Sequence, residues 1–573
     1  MDSVTGRVLR VNGPLVEVGG LPEIAMLDLV ELGPERLPGE VVAIRGDVAT
    51  VQAYEYTGGL GTGAAAWARG EPLSAPLGPH LLGGVFDGLL RPLAGAGRWL
   101  TPAGRRVGED DGRRWEFTPT VAEGTAVAAG SSLGVVGGTG SVAYLVLVPP
   151  GVHGRVEAVR PAGAYPADQP LATVAGHQVT MVTRWPVRRP KPHRERLDTT
   201  VPLVTGQRVL DALLPVALGG TAAVPGGFGT GKTVLLQQLA KWCQADVIVY
   251  VGCGERGNEL ADVVAELSEL ADPRTGGRLA ERTVVVANTS NMPMMAREAS
   301  VHSGVTVAEH FRDMGYDAVV IADSTSRWAE ALRELASRSG ALPAEEGYPA
   351  DLASALAGFY ERAGRVTTLG GRQGSVTVVG AVSPPGGDLT EPVTTHTQRF
   401  VRTLWTLDRD LAYARHYPAV SWAGSFSRDA DAVGAWHSGH GDPGWARRRA
   451  RISGLLAEAD RLGSLVELVG LSALPARERM VLLAGRLLRE AVLQQSALSP
   501  TDAFSPPGRT AALAGAVLDV VDGCQAVVDA GVPAAAIEEQ DFSPLLRARE
   551  ETGTDAAVAA RRDTMLTRLE ALQ

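Results

Sequence analysis

Lysine is almost absent. Only Lys191, Lys232 and Lys241 occur among 54 basic residues, so arginine carries nearly all the positive charge. With abundant alanine and glycine, that bias points to a GC-rich genome rather than to a function. Cysteine is as scarce. Cys243, Cys253 and Cys524 make neither a disulfide framework nor a paired metal motif. Free thiols in a reducing compartment are expected. No apolar run approaches the length of a membrane span. The first residues lack the apolar stretch of a secretory signal. The expectation is a soluble, cytoplasmic chain whose membrane connection, if it has one, runs through partners. Positive charge is also in deficit. The net charge of −10 and the lack of an interleaved basic and aromatic stripe argue against a nucleic-acid partner.

What the chain has is length and alternation. At 573 residues it has room for several domains of roughly 100–200 residues each. Residues 1–70 hold short β-rich runs separated by Gly and Pro, which predicts a small β-barrel. Residues 71–112 read as a connecting segment. Residues 113–190 form a second β-rich block, an independent insert, closed by Arg188-Arg189-Pro190-Lys191-Pro192, a solvated basic linker. Across 191–430 near-continuous Val/Ile runs alternate with helical patterns. That predicts an α/β domain with a parallel sheet covered on both faces. Residues 431–573 carry helical periodicity alone and predict a helical bundle.

The most informative stretch is Gly226-Gly227-Phe228-Gly229-Thr230-Gly231-Lys232-Thr233, which fits G-x-x-x-x-G-K-[ST]. A short apolar segment precedes it and a helical pattern follows, the context the motif requires. Glycines let successive backbone amides turn inward around phosphate oxygens. The helix that follows adds the positive end of its dipole. Lys232 supplies a charge at the β- and γ-phosphates of ATP, or at the β-phosphate of ADP. The Thr233 hydroxyl is placed to ligate Mg²⁺.

Two further motifs end apolar strands. Asp323 closes the run at 317–321 in the Walker-B manner, to hold Mg²⁺. Its alternative is a helix cap. Glu255 follows the strand at 246–251, where a carboxylate could take the proton of an attacking water. Its alternative is a surface residue in a glycine-rich turn. Arg256 could bind phosphate or fix Glu255. His437 and His440 lack supporting ligands, and no metal is expected there.

These stretches resemble one family closely. The segments 251–259 (VGCGERGNE), 287–300 (ANTSNMPMMAREAS), 311–335, 343–349 (PAEEGYP) and 374–392 are similar to the catalytic A-type chain of V-type/A-type rotary ATPases. So is 85–93 (VFDGLLRPL). The resemblance implies an N-terminal β-barrel, a β-rich insert, a RecA-like P-loop domain and a helical C-terminal domain. It implies the roles given above for Lys232, Thr233, Glu255 and Asp323, and places Arg256 near the phosphates. It implies an adenine packed between aromatics at Tyr417 and Phe504, for which core packing is the alternative. It implies a ring of three A-type and three B-type subunits, with central and peripheral stalks and a membrane ion-translocating sector, on the inner face of the cell membrane. An arginine finger would come from the B-type neighbour. Two departures stand out. Gly227 replaces a usual proline, and Leu498 replaces a usual phenylalanine. Residues 426–445 are only faintly similar.

The expected activity is interconversion of ATP and ADP plus phosphate, coupled to proton or sodium movement. The rivals are a RecA-like hexameric motor for protein export or nucleic acid, and a non-catalytic nucleotide-holding ring subunit. The insert disfavours the first. The coexistence of Lys232 and Glu255 disfavours the second.

Overall fold

Alternation of outward and buried side chains along Thr5–Asn12 and its neighbours closes the first strands into a barrel. The computed structural model describes residues 5–94, 112–272, 274–550 and 555–573. The barrel order is Thr5–Asn12, Leu15–Gly19, Val48–Ala53, Leu37–Arg45, Asp28–Leu32, Ala65–Pro72, and the last strand pairs back onto the first. Val8, Val16, Val30, Val41 and Val51 fill its interior.

The chain divides into two compact units. The first comprises Met1–Asp198, Ala245–Pro384 and Leu389–Phe400. Besides the barrel it holds the β insert, two four-stranded sheets. One is built on Trp115–Pro119 and Ser132–Gly137, the other on Gly154–Val159 and Ala172–Val174. The insert is not independent of its surroundings. The Tyr144 hydroxyl donates to the Met181 carbonyl (2.6 Å) and lies 3.0 Å from His310 Nε2, and the Tyr316 hydroxyl donates to the Ala143 carbonyl (2.6 Å).

The same unit contains a parallel sheet in the order Gln373–Val382, Asp317–Asp323, Val247–Glu255, Thr283–Thr289, Val85–Phe86. Its central strands are buried along most of their length, as expected for a sheet covered on both faces. Val85–Phe86, from the stretch expected to be only a connection, is its edge strand. Ser74–Leu77, from the same stretch, is also a strand, paired antiparallel with Thr183–Pro186, and 95–111 lie outside the described residues. The long helix Met294–Asp313 packs on the sheet. Its first turns bury Glu298, Ser300 and Ser303, which hide the apolar stripe there.

The expectation of a solvated basic linker is wrong for Arg188. Its guanidinium bonds Glu40 of the barrel (2.9 and 3.1 Å) and Glu298 of the long helix (2.6 and 2.8 Å). The Tyr54 hydroxyl also donates to Glu40 (2.8 Å). Burial pushes the Glu298 carboxyl up, but the guanidinium outweighs it and holds the group well below the usual carboxylate range. Arg362 bonds Glu309, about three helical turns beyond Glu298. The linker is therefore a clamp. A short basic run reads as solvated because its acidic partners lie over a hundred residues away in sequence.

The second unit comprises Thr199–Gln244, Pro385–Asp388 and Val401–Gln573. In it Thr221–Pro225 runs parallel to Thr403–Leu404, which pairs antiparallel with Phe426–Ser427. Beyond these lie the helices Trp445–Val469, Ala476–Leu488, Pro507–Asp529 and Asp555–Glu570. By length and composition, Pro507–Asp529 is apolar enough to cross a membrane, but half of its apolar window is buried among its neighbours. Arg208 is fully enclosed here. It pairs with Asp502 (2.6 Å) and donates to the carbonyls of Val492 and Gln494.

Candidate functional site

Thr221–Pro225 is buried along its whole length and delivers the chain to Gly226. Gly229 and Gly231 then take left-handed conformations (φ 79° and 82°) that a side chain would resist. The Thr230 hydroxyl donates to the Gly227 carbonyl (2.8 Å) and closes the loop on itself. Gly231 is the N-cap of Lys232–Trp242, so Lys232 and Thr233 occupy the first turn, where amides lack helical partners. Phe228 projects into solvent, 95% exposed.

A second segment of the same unit supports this loop. The Leu407 amide donates to the Pro225 carbonyl (2.8 Å), and the Leu407 side chain seats beneath Gly226, where a Cβ would lie only 2.9 Å away. The Tyr417 ring lies against Gly231. Tyr417 is thus beside the first turn of the phosphate-loop helix and half-exposed. Phe504 has a different aromatic neighbour. It stacks on Trp242 (5.2 Å between centroids, 21° between planes), at the far end of the same helix. Eleven residues of helix separate those ends by about 16 Å. Gln495 links the two neighbourhoods: its side-chain amide donates to the carbonyl of Gly206 (2.8 Å), the glycine against which the Phe504 ring packs. Leu498 is 96% exposed, and nearby Gln495 donates its amide to the Tyr417 carbonyl (2.8 Å).

In the other unit, the strand Val247–Glu255 runs further than the sequence suggests, and Glu255 is its last residue. Gly254, at φ 73°, is closely approached. A Cβ there would lie 2.9 Å from the Arg327 side chain and 3.0 Å from that of Arg297. Two arginines thus flank the residue before Glu255. The Glu330 carboxylate beside Arg327, despite burial, raises its affinity for its proton, with a smaller contribution from Glu255. Sequence reasoning missed Arg297 and Arg327, because arginine is too common in this chain to stand out. Arg256 is largely exposed and its guanidinium is 3.7 Å from Glu259.

Asp323 ends its strand in register with Gly252 and is 3% exposed. The Tyr250 hydroxyl donates to its Oδ2 (3.1 Å). Burial, then the Asp323 carboxylate, pushes the Tyr250 phenol well up, so Tyr250 remains a donor. The N-cap of the next helix, Thr325–Ser339, is Ser324. The helix-cap alternative for Asp323 therefore fails.

Family comparison accounts for most of the chain. Residues 8–66 match the β-barrel domain of the ATP synthase alpha/beta family, and 109–188 its barrel-sandwich domain. Residues 206–427 match its nucleotide-binding domain, and 434–527 the C-terminal domain of V and A type ATP synthases. A V-type ATP synthase alpha chain from Anaeromyxobacter sp. (strain K) is 50% identical over 579 residues, spanning 99% of this chain and 100% of the relative. The chain belongs to the V-type and A-type ATP synthase alpha-chain family. The corresponding chain of the A-type ATP synthase from Methanopyrus kandleri is 47% identical over 94% of this chain and 93% of its own. That from Sulfolobus acidocaldarius is 46% identical over 94% and 93%.

Membership makes this a catalytic, nucleotide-binding chain of a rotary ATP synthase, with ATP hydrolase/synthase activity. It favours neither the export or nucleic-acid motor nor the non-catalytic ring subunit. In a family of this kind the catalytic chain works as one part of a larger complex.

Proposed function

We propose that the phosphate loop 226–233 grips the triphosphate of ATP, or the diphosphate of ADP, while Glu255 readies water for attack on the terminal phosphorus. The observation that carries this is the buried strand, left-handed glycine loop and helix that set Lys232 and Thr233 on one first turn. Backbone amides and the helix dipole bind the anion, and the Lys232 ammonium adds a full charge. Glu255, at a strand end, accepts a proton from water as the new bond to phosphorus forms. Arg256 contributes positive charge near the phosphates. Tyr417 stacks on the adenine. Phe504, stacked on Trp242, is the second aromatic of that pocket.

The available donors fit Mg²⁺. Thr233 and Asp323 offer hard oxygen ligands, and Tyr250 orients the Asp323 carboxylate. A bound Mg²⁺ would neutralise charge developing on the phosphate oxygens.

The same reading assigns the segments 1–70, 113–190, 191–430 and 431–573 to barrel, insert, nucleotide domain and helical domain. It places the chain in a ring of three copies alternating with three B-type subunits. Stalk subunits would link that ring to a membrane sector, and the chain would sit on the cytoplasmic face. The names of the relatives and the match of the C-terminal domain support it.

Lys232→Ala tests the phosphate role. Equilibrium binding of Mg·ATP to the full chain should weaken at least tenfold, the order of one charged hydrogen bond lost. Unchanged affinity would remove the loop from the site.

A further inference from the structure

Arg409 belongs to none of the motifs above, yet it stands against the phosphate loop within the same compact unit. Its backbone is fixed relative to that loop. The preceding Leu407 amide bonds the Pro225 carbonyl (2.8 Å), and the Asp408 amide bonds the Ala419 carbonyl (2.8 Å). The Asp408 carboxylate caps the short helix Arg409–Tyr413 through the amides of Asp410 (2.7 Å) and Leu411 (3.0 Å).

From that anchored position the guanidinium reaches two segments. Its Nη2 lies 3.4 Å from where a Cβ on Gly227 would sit and 3.1 Å from where one on Gly387 would sit. It also donates to the Gly386 carbonyl (3.4 Å). A Cβ on Gly227 would be 3.6 Å from the Gly387 Cα, so loop, guanidinium and the Pro385–Gly387 turn form one contact. Arg409 meets the loop on the side where a side chain would project. The inward-turned amides are left to the anion.

We propose that Arg409 is a positioning residue for nucleotide binding. It props the outer face of Gly227 and ties the Pro385–Gly387 turn to the phosphate loop, so that the loop is formed before phosphate arrives. The inference rests on the reading that this loop binds nucleotide phosphates. Gly227 differs from Gly229 and Gly231. Its backbone lies outside the left-handed region, and a methyl there would meet its neighbours at ordinary contact distances. The Gly227 carbonyl accepts from Thr230 (2.8 Å) on one side, but with no side chain Gly227 leaves its outer face bare, and the guanidinium packs there. Ordering that is complete beforehand is not charged against affinity. The cation also adds to the positive field at the loop.

The test is steady-state kinetics of the assembled complex carrying Arg409→Ala, Arg409→Lys, Gly227→Ala, the Arg409→Ala/Gly227→Ala pair, or Lys232→Ala. Arg409→Ala should raise KM for Mg·ATP roughly fivefold to tenfold, the scale of one hydrogen bond from a charged donor. The kcat should stay within about twofold, because the loss falls on binding. Arg409→Lys should recover part of the affinity. Gly227→Ala should shrink the effect of Arg409→Ala, since its methyl fills the same contact. An unchanged KM in Arg409→Ala, a fall in kcat alone, or strictly additive effects would overturn the proposal. If Arg409→Ala does not assemble, Arg409→Lys and Gly227→Ala decide it by the same split. Lys232→Ala separates the two levels. If it leaves Mg·ATP binding intact the underlying reading fails; if it abolishes binding while Arg409→Ala does nothing, only the role of Arg409 falls.

Discussion

At the scale of single residues, the glycines of the phosphate loop are not equivalent. Gly231 has a φ of 82° and the Tyr417 ring 3.2 Å from where a Cβ would sit. Gly231→Ala should therefore lower both stability and nucleotide affinity. The left-handed backbone alone costs about 1–2 kcal/mol. Thermal melting with and without ADP would show the loss as a smaller ligand-induced rise in Tm. Asp323→Asn preserves shape but removes charge. It should leave the melting temperature near that of the parent and weaken the Mg²⁺ dependence of binding, which titration with and without Mg²⁺ would reveal. The phosphate loop was legible because its chemistry demands glycine at fixed spacing. Arg297, Arg327 and Arg409 were not legible. In a chain with 54 basic residues and three lysines, an arginine beside a functional loop looks like any other. The exposure of Leu498 and the stacking of Phe504 on Trp242 were equally hidden, since both depend on how the loop after residue 493 folds back.

At the scale of elements, strands were easier to read than helices. Continuous Val/Ile runs at 247–251 and 317–321 announce buried parallel strands, and they form them. The helix Met294–Asp313 is hard to read from periodicity, because its buried face carries Glu298 and Glu309 and meets arginines from distant segments. The Arg188 clamp joins barrel, linker and that helix through charges that cannot be left singly. Arg188→Ala strands Glu40 and Glu298, both almost fully buried. Removing one partner of such a network costs about 3–5 kcal/mol. The variant should melt at a clearly lower temperature, whereas Arg189→Ala, at an exposed site, should not. Equal melting temperatures for the two variants would show that the clamp contributes nothing.

At the scale of the whole molecule, two behaviours follow. The chain on its own should be a poor ATPase. In the proposed ring a finger arginine from a B-type neighbour would be worth about 10³–10⁵ in rate, so turnover should rise by that order when B-type subunits are added. Stability should also respond to mild acid. Burial, with Arg489 and Arg549 close by, lowers the His416 imidazole from 6.5 to about 4. Burial similarly holds His310 well below its ordinary value. Between about pH 6.5 and pH 4 the unfolded chain binds a proton at position 416 that the folded chain refuses, so stability falls as pH falls through that window. Above that window the imidazole is neutral in both states and the dependence vanishes. Denaturant unfolding of the parent and of His416→Gln at a series of pH values should show a weaker acid dependence in the variant, and parallel curves would refute the assignment.

The barrel, the insert and the helical C-terminal part were all visible in periodicity and turn residues. The ties between segments were not visible, because each rests on a pair of charges or a hydroxyl far apart in sequence. The most direct test of the account is Glu255→Gln in the assembled complex, read by nucleotide occupancy and by phosphate release in the same sample. The account predicts Mg·ATP bound at close to parental affinity while phosphate release falls by at least about a hundredfold, the scale of a lost general base. Release at the parental rate with ATP bound would contradict it.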